Sequence, residues 1–214
     1  MLKKFLGKEK GITGLETAII LIAFVVVAAV FAYTALSAGL FSTQQAQEAV
    51  YSGLKEAQSS LELKGAVTAS GNTVGAAGKV QQISFVVSNV LGGEEVDFTP
   101  PSSFLPLTGT ANGTAHRVII NYLDSSHEVS NLYWTVNQLG TDDGDYLLEP
   151  GEKFQITVGG ISSVAGAGNL LNAVTAPQLT SNTSFTITVV TPAGAILTIQ
   201  RVTPPFIDLT NNLR

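Results

Sequence analysis

At 214 residues the chain has room for one ordinary domain plus an extended element, and its mean hydropathy of +0.31 is high for a domain surrounded by water. A net charge of −5 without a basic stripe excludes phosphate-displacing binding to nucleic acid, and zero cysteine excludes a disulfide framework, a thiol nucleophile and a cysteine metal site. Only 13% of the residues are charged, and from Gly65 onward Thr, Ser, Asn, Gly and Val predominate, which suits short strands and turns.

Residues 1–11 form a basic leader in which Lys3, Lys4, Lys8 and Lys10 face a single acid, Glu9. Ala18–Ala32 follows as fifteen uninterrupted apolar residues, and Tyr33, Thr34, Ala35 and Leu36 extend the uncharged run to nineteen. At a helical rise of ~1.5 Å per residue this spans roughly 28 Å, close to the thickness of a bilayer core. The lysines precede the span, so the short end stays in the cytoplasm and the bulk of the chain lies outside.

Ala35, Ser37 and Ala38 offer the small residues of a secretory cleavage site, but the helical pattern does not stop there. Leu40, Phe41, Ala46, Ala49, Val50, Leu54, Ala57 and Leu61 recur at steps of three and four, so the helix continues with one apolar face. Lys64 followed by Gly65 supplies a C-terminal stop. The spacing predicts one helix near Thr13–Lys64, far longer than the usual ~11–12 residues. A first half that is apolar all round requires lipid or a ring of neighbouring helices. A plain single-span membrane anchor is the simpler alternative.

Lys10-Gly11, then Ile12-Thr-Gly-Leu-Glu16 running into the apolar stretch to Tyr33, and Leu36-Ser-Ala-Gly-Leu-Phe-Ser-Thr-Gln-Gln-Ala-Gln47 beyond it, resemble the N-terminus of archaeal flagellins (archaellins). These are type IV pilin-like subunits of the archaeal swimming filament, and the resemblance covers residues 10 to about 60. It implies cleavage by a prepilin-peptidase-like membrane enzyme between Gly11 and Ile12, so Lys10, Gly11 and Ile12 are the processing residues. A residue without Cβ lets an extended backbone approach a protease closely, although Gly11 equally serves to break the basic segment from the helix. Cleavage leaves 7 basic and 15 acidic groups, a net charge of −8, and removes the charges that oppose withdrawal of the helix from the bilayer. Glu16 becomes the fifth residue of the mature chain. The resemblance implies that its carboxylate meets the new α-amino group of a neighbour during assembly. Thr13-Gly-Leu-Glu16 also has capping-box spacing, so a purely local role is the alternative.

Past the helix, strands are expected at Val80–Val90, His116–Leu123, Asn131–Asn137, Phe154–Val158, Ser184–Val190 and Ala195–Val202, with weaker segments near Val67 and Val96. Ile83, Phe85 and Val87, then Phe154, Ile156 and Val158, then Phe185, Ile187 and Val189 alternate as half-buried strands do. Turns fall at Gly92-Gly93, Pro100-Pro101, Asn112-Gly113, Glu149-Pro-Gly151, Gly159-Gly160 and Pro192-Ala-Gly194. The fold expected is α+β: a long N-terminal hydrophobic α-helix followed by an antiparallel β-sandwich, immunoglobulin-like. Its parts are the leader 1–11, the helix 12–64 and the β domain 65–214, with Gly65–Gly78 a hinge or first edge strand. The glycines of Gly159–Gly168 make no nucleotide site, because no strand-to-helix unit surrounds them.

In Thr141–Glu152, oxygen-bearing groups fall at positions 1, 3, 5, 7, 9 and 12: Thr141, Asp143, Asp145, the Leu147 carbonyl, Glu149 and Glu152. That spacing imitates a Ca2+ loop, though Tyr146 stands where the turn glycine belongs; a solvated acidic turn is the alternative. Similar acidic loops recur in archaellin-like domains, so the resemblance is compatible with a bound metal. Asn112-Gly-Thr114 and Asn182-Thr-Ser184 are candidate glycosylation sequons or simple turn asparagines. The two histidines, His116 and His127, lack a nucleophile elbow nearby, so no enzyme activity is expected and no cofactor is required. Trp134 reads as core. The resemblance implies a major structural subunit of the swimming filament, a homo-polymer or co-polymer with sister subunits, delivered by a membrane assembly platform. An adhesive type IV-like pilin and a membrane-anchored extracellular binding domain are the rivals.

Overall fold

The computed structural model describes residues 10–90, 93–105, 108–140, 143–159 and 178–213, with residues 10–13 by backbone alone. Two units are distinguished, Met1–Ser52 and Gly53–Arg214. Helix α1, Lys10–Gln58, runs for 49 residues. The hydroxyls inside it turn back on the helix rather than interrupting it: Thr17, Thr34 and Thr43 donate to the carbonyls of Gly14, Phe31 and Gly39 at 2.9–3.0 Å. Among the described residues it is the one helix long and apolar enough to cross a membrane, with a mean hydropathy of 2.8 in its most apolar stretch and none of that stretch buried within the chain.

The helix stops at Gln58 rather than Lys64. Ser59 caps it, its N–H donating to Lys55 O at 3.0 Å and its hydroxyl to Glu56 O at 3.0 Å. Leu61-Glu-Leu-Lys64 would suit a helix, but Leu61 pairs with Asn89 and Leu63 with Val87, so tertiary strand pairing overrides local preference. Strand β1 therefore spans Leu61–Thr73 and takes in most of the expected hinge. Gly65 is a bulge within it, at φ +77° where the register slips between Lys64 and Thr68.

The remaining strands are β2 (Lys79–Asn89), β3 (Val96–Asp97), β4 (Ser103–Phe104), β5 (Ala111–Asn112), β6 (Ile119–Asp124), β7 (Glu128–Val129), β8 (Trp134–Leu139), β9 (Leu147–Leu148), β10 (Lys153–Val158), β11 (Ser184–Val190), β12 (Ile196–Val202) and β13 (Thr210–Leu213). They form a five-stranded sheet, β13-β1-β2-β10-β8, and a four-stranded sheet, β12-β11-β6-β7, with two-stranded ribbons β3-β9 and β4-β5. All these pairings are antiparallel. β1 is thus an interior strand, not the edge considered from the sequence.

The alternating residues meet between the sheets. Ile83, Phe85 and Val87 from β2 and Phe154, Ile156 and Val158 from β10 join Ile120 and Tyr122 from β6 and Phe185, Ile187 and Val189 from β11 in one buried cluster. Phe98 bridges its aromatic part, edge-on to Trp134 at 5.9 Å and to Phe154 at 6.0 Å between ring centres. Trp134 is fully buried, as a core residue should be. The two sheets thus close a core without help from the apolar half of α1.

Candidate assembly surface

The helix presents an unusual surface. From Leu15 to Leu54, eighteen large apolar side chains are half exposed or more, including Phe24 at 75% and Phe31 at 71%. At ~1.5–3 kcal/mol for each such side chain taken out of water, covering them is worth on the order of tens of kcal/mol. Lys10, Gly11 and Ile12, the expected processing residues, are the first described residues of α1. In the uncleaved chain Thr13 lies within α1 rather than at its described start. Glu16 is exposed, and no ion pair engages it among the described residues.

In the acidic loop, Thr141 lies outside the described residues. The other expected ligands face their own backbone. Asp143 Oδ1 accepts from the Asp145 N–H at 3.3 Å, Asp145 Oδ1 from the Leu147 N–H at 2.7 Å, and Glu152 Oε2 from the Glu149 N–H at 3.0 Å. Gln138 Nε2 donates to the Asp145 carbonyl, and Leu147 belongs to β9. Among the described residues no group of three or more His, Cys, Asp or Glu is arranged to hold a metal. Asp143 and Asp145 form Asx-type turns here, because a short carboxylate reaches the N–H group two residues on. The Glu149 carboxyl pKa is raised above its ordinary value, first by desolvation and then by the charges of Asp143, Glu152, Glu95 and Asp145.

Asn112 ends β5 and Asn182 sits on a turn at φ +53°, both with exposed side chains. His116 and His127 are far apart in role. His116 Nε2 meets Asn131 Oδ1 at 3.0 Å, and His127 Nδ1 lies 3.4 Å from Asp124 Oδ1. Asp124 organises its turn by accepting from the N–H groups of Ser126 at 2.6 Å and His127 at 2.7 Å and from the Tyr122 hydroxyl at 2.8 Å. Burial pushes the Asp124 carboxyl up, but these hydrogen bonds outweigh it and hold the group below its ordinary range. Burial, and then the bond to Asp124, push the Tyr122 phenol up. The arrangement serves the turn.

Where the chain passes from α1 into β1, a cleft of about 250 Å³ is lined by Lys55, Ser59, Glu94, Asp97, Arg117 and Pro192. Its ion pairs, Lys55–Glu94 at 3.7 Å and Arg117–Asp97 at 3.3 Å, have exposed cations and contribute little, about 0–1 kcal/mol each.

Two exposed apolar groups on the β domain escape the alternation argument. Register places Val190 between Ile119 and Ile196, which makes a row across β6, β11 and β12 on the outer face. At the opposite end, Val74, Phe206 and Leu209 stand out from the segments that the Gly75–Ile207 bridge brings together. The signal for the first was present: Ile119-Ile120 and Val189-Val190 are adjacent pairs, and in a strand one member of each must face outward.

The archaeal-type flagellin family model matches residues 11–201. The chain is 37% identical over 207 residues to probable flagellin 1 of Archaeoglobus fulgidus, covering 96% of this chain and 95% of that one. Its fold is similar to a subunit of the archaeal flagellum of Methanospirillum hungatei, with TM-score 0.60 and 26% identity over 94% of this chain and 98% of that one. A crystal structure of archaeal flagellin FlaB1 from Methanocaldococcus jannaschii shares the fold alone, with TM-score 0.51 and 11% identity over 72% of this chain and 96% of that one.

Proposed function

The chain belongs to the archaeal-type flagellins and is a filament subunit, and on that premise we propose that α1 occupies two successive environments, the cytoplasmic membrane and then the filament core. Two observations carry this: the apolar side chains of the helix are exposed, and the β domain closes its own core. Water is the one surrounding in which so much apolar surface is not stable. In the precursor, the basic leader holds the N-terminus on the cytoplasmic side. A prepilin-peptidase-like enzyme cuts between Gly11 and Ile12, and the freed helix passes through a membrane assembly platform to pack against equivalent helices of the same or sister subunits.

Glu16 then lies within the apolar bundle, where a carboxylate needs a partner, and the new α-amino group of a neighbouring Ile12 supplies one. The β domain forms the outer sheath outside the cell, with Asn112 and Asn182 as glycosylation acceptors. The subunit serves as the swimming filament's main building material and performs no chemistry; motility comes from an energy source elsewhere. N-terminal sequencing of filament protein sheared from cells tests the scheme. A mature start at Ile12 is expected, whereas a start near Ala38 would remove the all-apolar half of the helix and would overturn it.

A further inference from the structure

We infer that Asn112 is a site of spontaneous cyclisation, in which the Gly113 nitrogen attacks the Asn112 carboxamide and the residue becomes aspartate or isoaspartate, and that a glycan on the same side chain prevents it. The first half stands on the local geometry. The second rests on the glycosylation reading above.

Ring closure needs a following residue with no Cβ in the way, a backbone N–H not held elsewhere, and a side-chain carbonyl folded back onto it. Asn112-Gly113 is the only Asn-Gly step in the sequence. The Gly113 N–H donates to Asn112 Oδ1 at 3.0 Å, so the attacking nitrogen already lies against the carbonyl whose carbon it must reach. Both residues are exposed, and the step falls where β5 ends, with Asn112 paired to Ser103. Gly113 adopts φ +97°, and a Cβ there would stand 2.5 Å from Ser102 Oγ. The turn itself therefore calls for glycine and leaves the reacting link open to water.

Other asparagines supply the contrast. At the second sequon, the N–H after Asn182 is that of Thr183, which donates to Thr203 Oγ1 at 2.9 Å and carries a β-branched side chain. After Asn131, the Leu132 N–H donates to Ile120 O at 2.7 Å. After the buried Asn89, the Val90 N–H donates to Ser60 O at 3.3 Å. At each of these the nitrogen that would close the ring is engaged with a distant partner.

In the reaction the Gly113 nitrogen gives its proton to a solvent base and bonds to Asn112 Cγ. The Cγ–Nδ2 bond breaks and Nδ2 leaves as ammonia, which closes a five-membered succinimide. Water then opens the ring at either carbonyl. One water is consumed, one ammonia is released, and no electron changes hands. Both products add a negative charge, and isoaspartate also routes the main chain through an extra carbon within the β4-β5 ribbon. A sugar on Nδ2 makes the departing group a bulky glycosylamine, so the glycan preserves the ribbon's backbone.

The full-length chain, made without glycosylation and held in detergent, is incubated at mildly alkaline pH in water enriched in heavy oxygen. Digestion and mass spectrometry read the label, and an isoaspartyl methyltransferase reads the isoaspartate. The peptide carrying Asn112 is expected to gain both signals while the peptide carrying Asn182 stays unchanged, and Asn112→Gln removes them. Conversion of Asn112 is expected to be no slower folded than in the chain unfolded by guanidinium chloride. Equal conversion at Asn182, or a folded rate about tenfold below the unfolded one, overturns the cyclisation. Chain sheared from filaments with a sugar on Asn112 is expected to give no label there; labelling as fast as in the bare chain overturns the protective half. If filament protein carries no sugar at Asn112, the glycosylation reading falls and the protective half with it, while the first experiment still decides the cyclisation.

Discussion

Asp124→Asn keeps the size of the side chain and removes its charge from a turn built around it. The Asp124 side chain is 3% exposed and accepts three hydrogen bonds, at 2.6, 2.7 and 2.8 Å. A bond to a charged acceptor contributes about 1.5–3 kcal/mol and a neutral one about 0.5–1.5, so neutralising the acceptor costs about 1 kcal/mol per bond. Three bonds sharing one side chain are not additive, and the expected loss is about 2–3 kcal/mol, or about 5–10 °C in Tm for a domain of this size. The single tryptophan, Trp134, is fully buried and reports urea unfolding of the detergent-solubilised chain without a label. The pH dependence carries the stricter test. The folded-state pKa of Asp124 lies below the ordinary 3.8, so its stabilisation is fully present above that value and is lost as pH falls through the lower folded value. The gap between parent and variant must therefore close in strong acid. No gap at neutral pH, or a gap that persists undiminished in acid, refutes the reasoning.

Gly71→Ala places a methyl against the Asp208 carbonyl and 2.8 Å from Ile207 Cγ2, forcing backbone to move, and is expected to lower stability by about 1–3 kcal/mol in the same unfolding assay. Glu16→Gln should leave unfolding of the β domain unchanged while sharply reducing filament yield by electron microscopy; normal yield would remove the carboxylate from assembly. Glu149→Gln relieves repulsion within the acidic loop. Because the Glu149 pKa is raised, its ionisation opposes folding above that pKa and ceases to do so as pH falls, so the variant's gain is largest at neutral pH and low salt. Millimolar calcium tests the cation reading of the loop: a rise of several degrees in melting temperature supports it, and an unchanged value removes it.

The parts of this fold that show in the sequence are those with a local cause. The uncharged run Ala18–Leu36 can form little but a helix, and the alternation in β2, β10 and β11 reports two faces with different surroundings. What does not show depends on distant partners. Leu61-Glu-Leu-Lys64 continues the helical spacing and becomes strand because Asn89 and Val87 lie beside it. β13, with two asparagines, has no strand character of its own; it is held by register against Val67–Ser70 and by Asn211 reaching the Ala69 carbonyl. The two-residue strands β4, β5, β7 and β9 are too short to carry any period. The acidic loop is ambiguous for another reason, since carboxylates at alternate positions suit both a cation and a run of backbone turns, and sequence spacing is the same for each.

The position of β1 bears on how the subunit withstands force. Its covalent continuity with α1 means that tension in a filament enters the domain through Ser59 and Ser60 and then lengthwise along this strand. β2 lies on one side of it and β13 on the other, so the first and last strands of the domain are neighbours. Antiparallel hydrogen bonds run across the strand, and such a pull shears many of them together instead of peeling them singly. β13, paired with Val67–Ser70, thus braces β1 a few residues beyond the point where α1 enters the domain.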